Sequence, residues 1–272
     1  MKTDKFNEIK NEILSRAKKA LACKKEYVRA YKSKTLAELM QVVKDNFAWV
    51  CEHRVITTSF IEEYEEEFSK NNIWLNRDVV NGHLLCVNSS VKAYGESSVI
   101  AYGRSSVEAY DHSSVIAFGR SSVIAFGRSS VTANGRSSVT AFGHSSVTAY
   151  AYSSVEAFGH SSVDAFGHSS VDALSFSSVT ALNYSSVTAN NESSVEAYDH
   201  SSVIAFGRSS VTANGRSSVT AFDHSSVIAN GFSFVITVFP GIECSVFDNA
   251  IHRALHENKI YYASDSIEFV KQ

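Results

Sequence analysis

A mainly β fold is what this sequence predicts: a parallel β-solenoid of octapeptide repeats, with a small α-helical N-terminal domain and an irregular β C-terminal cap. Three observations carry that expectation. The frame S-S-V-x-A recurs every eight residues from Ser89 without a slip, for eighteen octads. The seventh place of the octad is Gly in eleven of the eighteen and Asp or Asn in five. The chain's one proline, Pro240, lies outside the repeat, as a ladder that uses every backbone N–H demands. A fixed short period means that each unit is too small to bury its own face and must stack on its neighbours.

Residues 1–78 read as a helical head, with the helices themselves over 1–75. Phe6, Ile9, Ile13, Ala17 and Ala20 recur at helical spacing, and Leu36, Leu39, Met40, Val43, Phe47 and Val50 make a second apolar stripe. T-L-A-E at 35–38 and S-F-I-E at 59–62 have the pattern of capping boxes, in which a hydroxyl and a Glu three residues on satisfy free backbone donors. Three or four helices are expected. Residues 1–54 carry thirteen Lys/Arg against seven Asp/Glu, a surplus that E-E-Y-E-E-E at 62–67 largely offsets. It suits solvated helix faces first, and a partner-docking or nucleic-acid-contacting head second. Residues 79–88 follow as a hairpin cap leading into the coil, because V-V-N-G-H-L-L-C-V places Asn-Gly between apolar runs.

The octads fill residues 89–232. On an extended strand the first, third and fifth places point to one side. In the octad 121–128 these are Ser121, Val123 and Ala125, and they form the interior. The fourth place holds Lys92, Ile100, Glu108, Thr132 and Asp164 in different octads, as a solvent face does. Gly, Asn and Asp at the seventh place tolerate a left-handed backbone, so a tight corner sits there. Two octads give a flat coil of sixteen residues and three give a triangular coil of twenty-four. A core of Val, Ala and Ser fills a thin gap better than a wide prism. Against that, sixteen stacks Arg104, Arg120 and Arg136 directly, and like charges repel. The sixth-place aromatics, Tyr94, Phe118 and Phe126 among them, either turn inward or form an exposed strip suited to homo-oligomerisation or a partner. Both questions stay open at this level. The cap, 233–272, degrades into irregular strand-like segments; head and cap would keep open coil ends from polymerising.

The octads resemble the tandem repeat of bacterial ice-nucleation proteins, on the register A-[YFN]-G-x-S-S-V-x. That resemblance implies a sixteen-residue solenoid. Its water-ordering Thr pairs would fall on the second and fourth places, where this chain has only Ser at one and a mixture at the other, so ice or surface binding stands last among the binding functions. The whole chain is similar to octapeptide-repeat proteins of intestinal bacteria and their prophages, which combine a helical head, a run of such octads and a non-repetitive tail. That resemblance supplies no activity.

The eighth place concentrates the candidate site. Arg104, Arg120, Arg128, Arg136, His144, His160, His168, Arg208 and Arg216, with His112, His200 and His224, would stack along one or two edges as a ladder of donors for phosphate, nucleic acid or an acidic protein. Residues 89–232 nevertheless hold seven Lys/Arg against ten Asp/Glu, which weighs toward a plain solvated corner, and toward a protein partner over nucleic acid. H-R-A-L-H at 252–256 spaces two His for a shared metal on a helix but lacks the Glu of HExxH. Catalysis needs one unlike constellation in one place, and uninterrupted octads offer none, so no enzyme, cofactor or metal is expected. The four cysteines form no C-x-x-C pair. With a charged N-terminal segment in place of a signal peptide's apolar run, they point to a reduced, cytoplasmic protein. The net charge of −3 gives no global pull toward nucleic acid or membrane. The expected function is a rigid interaction scaffold. The alternative is a phage- or prophage-encoded inhibitor of a bacterial defence or nucleoprotein complex. Residues 121–147 and 201–227 differ only at Gly143 against Asp223, so copy number is expected to vary without loss of the binding surface.

Overall fold

The computed structural model describes residues 5–263. In every octad the second to fifth places form a strand, from β4 (Ser90–Tyr94), β5 (Ser98–Tyr102) and β6 (Ser106–Ala109) through to β21 (Ser226–Ala229). Third-place Val and fifth-place Ala are buried in all of them, and the second-place Ser that precedes them faces outward. Consecutive strands belong to opposite sheets, and each pairs in parallel with the strand sixteen residues away, Val131 with Val115 and Val147. The coil therefore takes two octads per turn. Its inner side chains are too small to fill a prism, and the stacked arginines sit at exposed corners, where water and salt weaken their repulsion.

The first sheet has twelve strands, opening with β1 (Ile73–Leu75) and β3 (His83–Val87) and ending at β23 (Glu243–Val246). The second has thirteen, opening with β2 (Val79–Val80). It ends with β22 (Phe234–Thr237), β24 (Ile251–Ala254) and β25 (Lys259–Tyr262), the last antiparallel to β24. The coil thus begins at Ile73, inside the stretch expected to be helical. The hairpin expected at 79–87 does not form. Strands β2 and β3 lie in different sheets, and β2 pairs with β4 while β3 pairs with β1 and β5. Asn81, with φ 52°, makes a coil corner; hairpin turns and corners both need a left-handed residue. Burial of Val79 and Leu84 in the same thin core selects the corner.

The corners explain the fixed first Ser. Its hydroxyl, buried between the sheets, donates to the sixth-place carbonyl three residues back, Ser121 to Phe118 and Ser137 to Asn134 at 2.8 Å. That satisfies a carbonyl the strand ladder cannot reach, for a side chain no larger than the gap allows. Seventh-place residues adopt positive φ whatever their identity, including Ala151 at 60°. A left-handed alanine costs roughly 1–2 kcal/mol, so Ala151→Gly is expected to raise unfolding stability by about 1 kcal/mol after glycine's greater chain entropy is subtracted; urea denaturation measures it.

Among the described residues six helices make the head: α1 (Lys5–Lys19), α2 (Lys24–Lys32), α3 (Leu36–Asp45), α4 (Phe47–Glu52), α5 (Thr58–Glu63) and α6 (Glu65–Ser69). The long apolar stripe is split at Asn46, whose side chain donates to the Val42 carbonyl. Thr35 caps α3 as expected, accepting from the Glu38 N–H at 3.2 Å. The second cap is Thr57, which accepts from the Phe60 N–H; Ser59 lies inside α5. The head core of Ile9, Leu39, Met40, Phe60 and Phe68 continues onto the outer face of the first sheet, where it buries Leu85 and the fourth-place Ile100. Outward isoleucine at the start of the coil is therefore the docking surface for the head.

His83 lies in this joint, its ring 5.1 Å from Phe47. Burial, with the Lys44 ammonium, holds the imidazole below its ordinary range, while a Lys44 backbone hydrogen bond and Asp45 act weakly the other way. Folding favours the neutral ring, so the unfolded chain takes up more protons below about pH 6.5 and stability falls as pH drops through that value. His252, also held low by burial, adds a slope of the same sign. Melting temperature is expected to decline between about pH 7.5 and 5.5, and His83→Gln to flatten part of that decline.

Candidate functional site

Two octads per turn send alternate corners to opposite edges of the coil. Edge one follows strands of the first sheet; edge two follows strands of the second. The eighth-place residues, expected along one or two edges, are thereby divided between two. Arg104, Arg120, Arg136, His168 and Arg216 stand on edge one with His200; Arg128, His144, His160 and Arg208 stand on edge two with His112 and His224.

Division also separates charge. The sixth to eighth places of edge one hold four arginines and a single carboxylate, Asp199. Those of edge two hold two arginines and four carboxylates, Glu96, Asp111, Glu192 and Asp223. On edge one the eighth place reads Arg104, Arg120, Arg136, Tyr152, His168, Tyr184, His200, Arg216 in consecutive coils. Every member is a hydrogen-bond donor and all eight are exposed. The corner backbone fixes the row: the Arg120 N–H donates to the Gly103 carbonyl and the Arg136 N–H to the Gly119 carbonyl, each at 2.8 Å. The rings stack face to face, Tyr152 on His168 at 5.3 Å, His168 on Tyr184 at 5.4 Å and Tyr184 on His200 at 5.2 Å. None of the four arginines forms an ion pair among the described residues.

Edge two is a different surface. Tyr94, Tyr110, Phe126, Phe142 and Phe158 stack there with ring centroids 4.9–5.3 Å apart. These sixth-place rings point neither into the core nor wholly into water; each is half-buried against the next coil. On edge one Tyr102 and Phe118 stack likewise and pack against the head core. Burial beside the head raises the Tyr102 hydroxyl, with Glu52 and Arg54 of the head acting on it in opposite senses, so the first rungs of the donor row adjoin the head. The outer sheet faces interleave Thr and Ile with Glu156, Asp164, Asp172 and Glu196, and carry no uniform Thr array.

Elsewhere the chemistry is sparse. A cavity of about 220 Å³ in the head is lined by Ile13, Tyr27, Leu39, Val43 and Trp49, and its one carboxylate, Glu26, is tied to Arg29 and Asn46. His252 is on strand β24, bonded to Thr237 at 2.8 Å, and His256 lies in the turn beyond, paired with Glu257. They do not share a helix face, because the segment extends the second sheet. All four cysteines are free, and burial pushes the Cys51 thiol up to about 12 and the Cys244 thiol to about 11. No helix among the described residues is long and apolar enough to cross a membrane. Sorting the octads into odd and even was the signal that would have separated the edges in the sequence, once sixteen residues per turn was granted. Compared with protein-family models, curated proteins and solved structures, the chain matches none.

Proposed function

We propose that the chain is a non-enzymatic, rigid scaffold that docks an anionic macromolecular partner along edge one, beside the head. The observation that carries this reading is the unbroken row of eight exposed donors, three of them arginines in consecutive coils with no carboxylate partner. Like charges on adjacent rungs, ~5 Å apart, oppose folding slightly, and an anionic partner offsets that repulsion. A ladder of backbone bonds running the length of the coil holds the row's backbone in place before binding, so little ordering is lost on association. Cross-linked capture from bacterial lysate tests it with three proteins: the unaltered chain, Arg120→Glu/Arg136→Glu on edge one, and Arg128→Glu/Arg208→Glu on edge two. The reading expects one partner held by the first and third and released by the second. Equal retention by all three, or loss only with the edge-two variant, would refute it.

A further inference from the structure

We propose that the partner of edge one is a single-stranded nucleic acid, bound through its phosphate backbone without sequence preference; this rests on the reading of edge one as the binding edge. The repeat's overall charge argued against nucleic acid only as an average over both edges. Of the repeat's ten carboxylates, sixteen-residue coiling puts five on the sheet faces and four of the five at the corners on edge two, which leaves edge one with a single Asp. The row from Arg104 to Arg216 crosses eight successive coils, a length of ~34 Å at the strand spacing. That is room for roughly ten stacked nucleotides at ~3.4 Å each.

The chemistry favours phosphate over an acidic protein surface. Protein interfaces take most of their energy from buried apolar or aromatic anchors seated in pockets. No row residue between Arg104 and Arg216 lines any of the four cavities found in the head and at the start of the coil. The row's Tyr and His rings stack flat on one another along the edge, Tyr152 and Tyr184 more than half exposed, rather than standing as anchors to be seated in a partner's pockets. A guanidinium fork every coil, followed by phenol and imidazole donors, meets a polymer that repeats the same anion at short intervals. Length along one edge favours a single strand. A flexible backbone can adjust its phosphates to a donor in each of eight coils, whereas the phosphates of a stiff duplex have fixed positions that wind around its own axis.

The test is fluorescence anisotropy of a labelled oligothymidylate of about 15 nucleotides with the full chain, starting from about 50 mM salt. Four arginine contacts to a single strand predict a slope of log affinity against log salt near −3, from about −0.7 per contact. Arg104→Gln/Arg120→Gln/Arg136→Gln is expected to weaken binding on the order of tenfold or more and to bring the slope to about −1. Arg128→Gln/Arg208→Gln should leave both within about twofold. Because the stacked arginines repel in the free protein, the triple variant should also melt no lower than the unaltered chain, which separates lost contacts from lost fold. Binding by neither edge at low salt, or equal loss in both variants, overturns the proposal. Polyglutamate of the same length is the second probe. If it binds as tightly and loses affinity in the same triple variant, nucleic acid is refuted as the class while edge one stands as the binding edge. If edge-one variants bind the oligonucleotide unchanged, both readings fail.

Discussion

Val131→Asp lowers stability by about 4 kcal/mol, the cost of an unpaired charge buried between two sheets with no room to relax. The side chain of Val131 is 1% exposed and stacks on Val115 and Val147 in the adjoining coils. One residue on, Thr132→Asp costs less than about 1 kcal/mol, since the fourth place faces water and its sheet neighbours, Ile116 and Thr148, carry no charge. Each coil contacts only its neighbours, so the damage is local. Hydrogen exchange is expected to show opening in the coils around residue 131 while the buried helices of the head stay protected. Similar losses from the two substitutions, read by urea denaturation, would contradict the alternation on which the solenoid is built.

Ile100→Ala is the second large effect, about 3 kcal/mol from the deleted methyls and the space they leave. Ile100 is 1% exposed because the head lies over it, packed in the same cluster as Leu85, Phe60 and Phe68. An internal control exists at the other end of the same sheet: Ile228 holds the same octad place and is 44% exposed. Ile228→Ala should stay within about 0.5 kcal/mol. Limited proteolysis is expected to release the head from the Ile100 variant first, by cutting between residues 70 and 82. Cleavage spread evenly through the coil would contradict a head held by this contact.

The repeat was legible because its physics is local. Alternation placed Val and Ala inside, and the need for a left-handed corner explained Gly, Asn and Asp at one place; the coordinates keep both, down to Asn183 at φ 62°. The Asn-Gly at 81–82 misled because a corner and a hairpin turn ask for the same residues, and only the sheet to which Val79 belongs tells them apart. Ile100 looked like one solvent-face residue among several; its role appears only once the head is seen lying over the first sheet. The candidate site was legible only in part. Arg104 and Arg128 occupy the same place in the octad, yet they stand on opposite edges, because chemistry distributed along a coil depends on the number of residues per turn. Summed over the whole repeat, the charges cancelled a contrast that the coil keeps apart.

That dependence gives the most direct test of the central claim, that two octads per turn assemble a continuous donor row on one edge. Deleting residues 137–152 joins Arg136 to Ser153 and removes one full turn. Edge one then reads Arg104, Arg120, Arg136, His168, Tyr184, His200, Arg216. Deleting only 137–144 joins Arg136 to Ser145 in equally good octad phase but exchanges the edges beyond it. The row after Arg136 becomes His160, Phe176, Glu192, Arg208, His224, interrupted by Phe176 and Glu192, and Arg216 moves to the opposite side. Both chains should fold, since every junction keeps the S-S-V-x-A frame. Oligonucleotide affinity, measured side by side, should stay within about twofold for the sixteen-residue deletion and fall about fivefold or more for the eight-residue one. Equal affinity in the two deletions would contradict the account, and so would a loss confined to the sixteen-residue deletion.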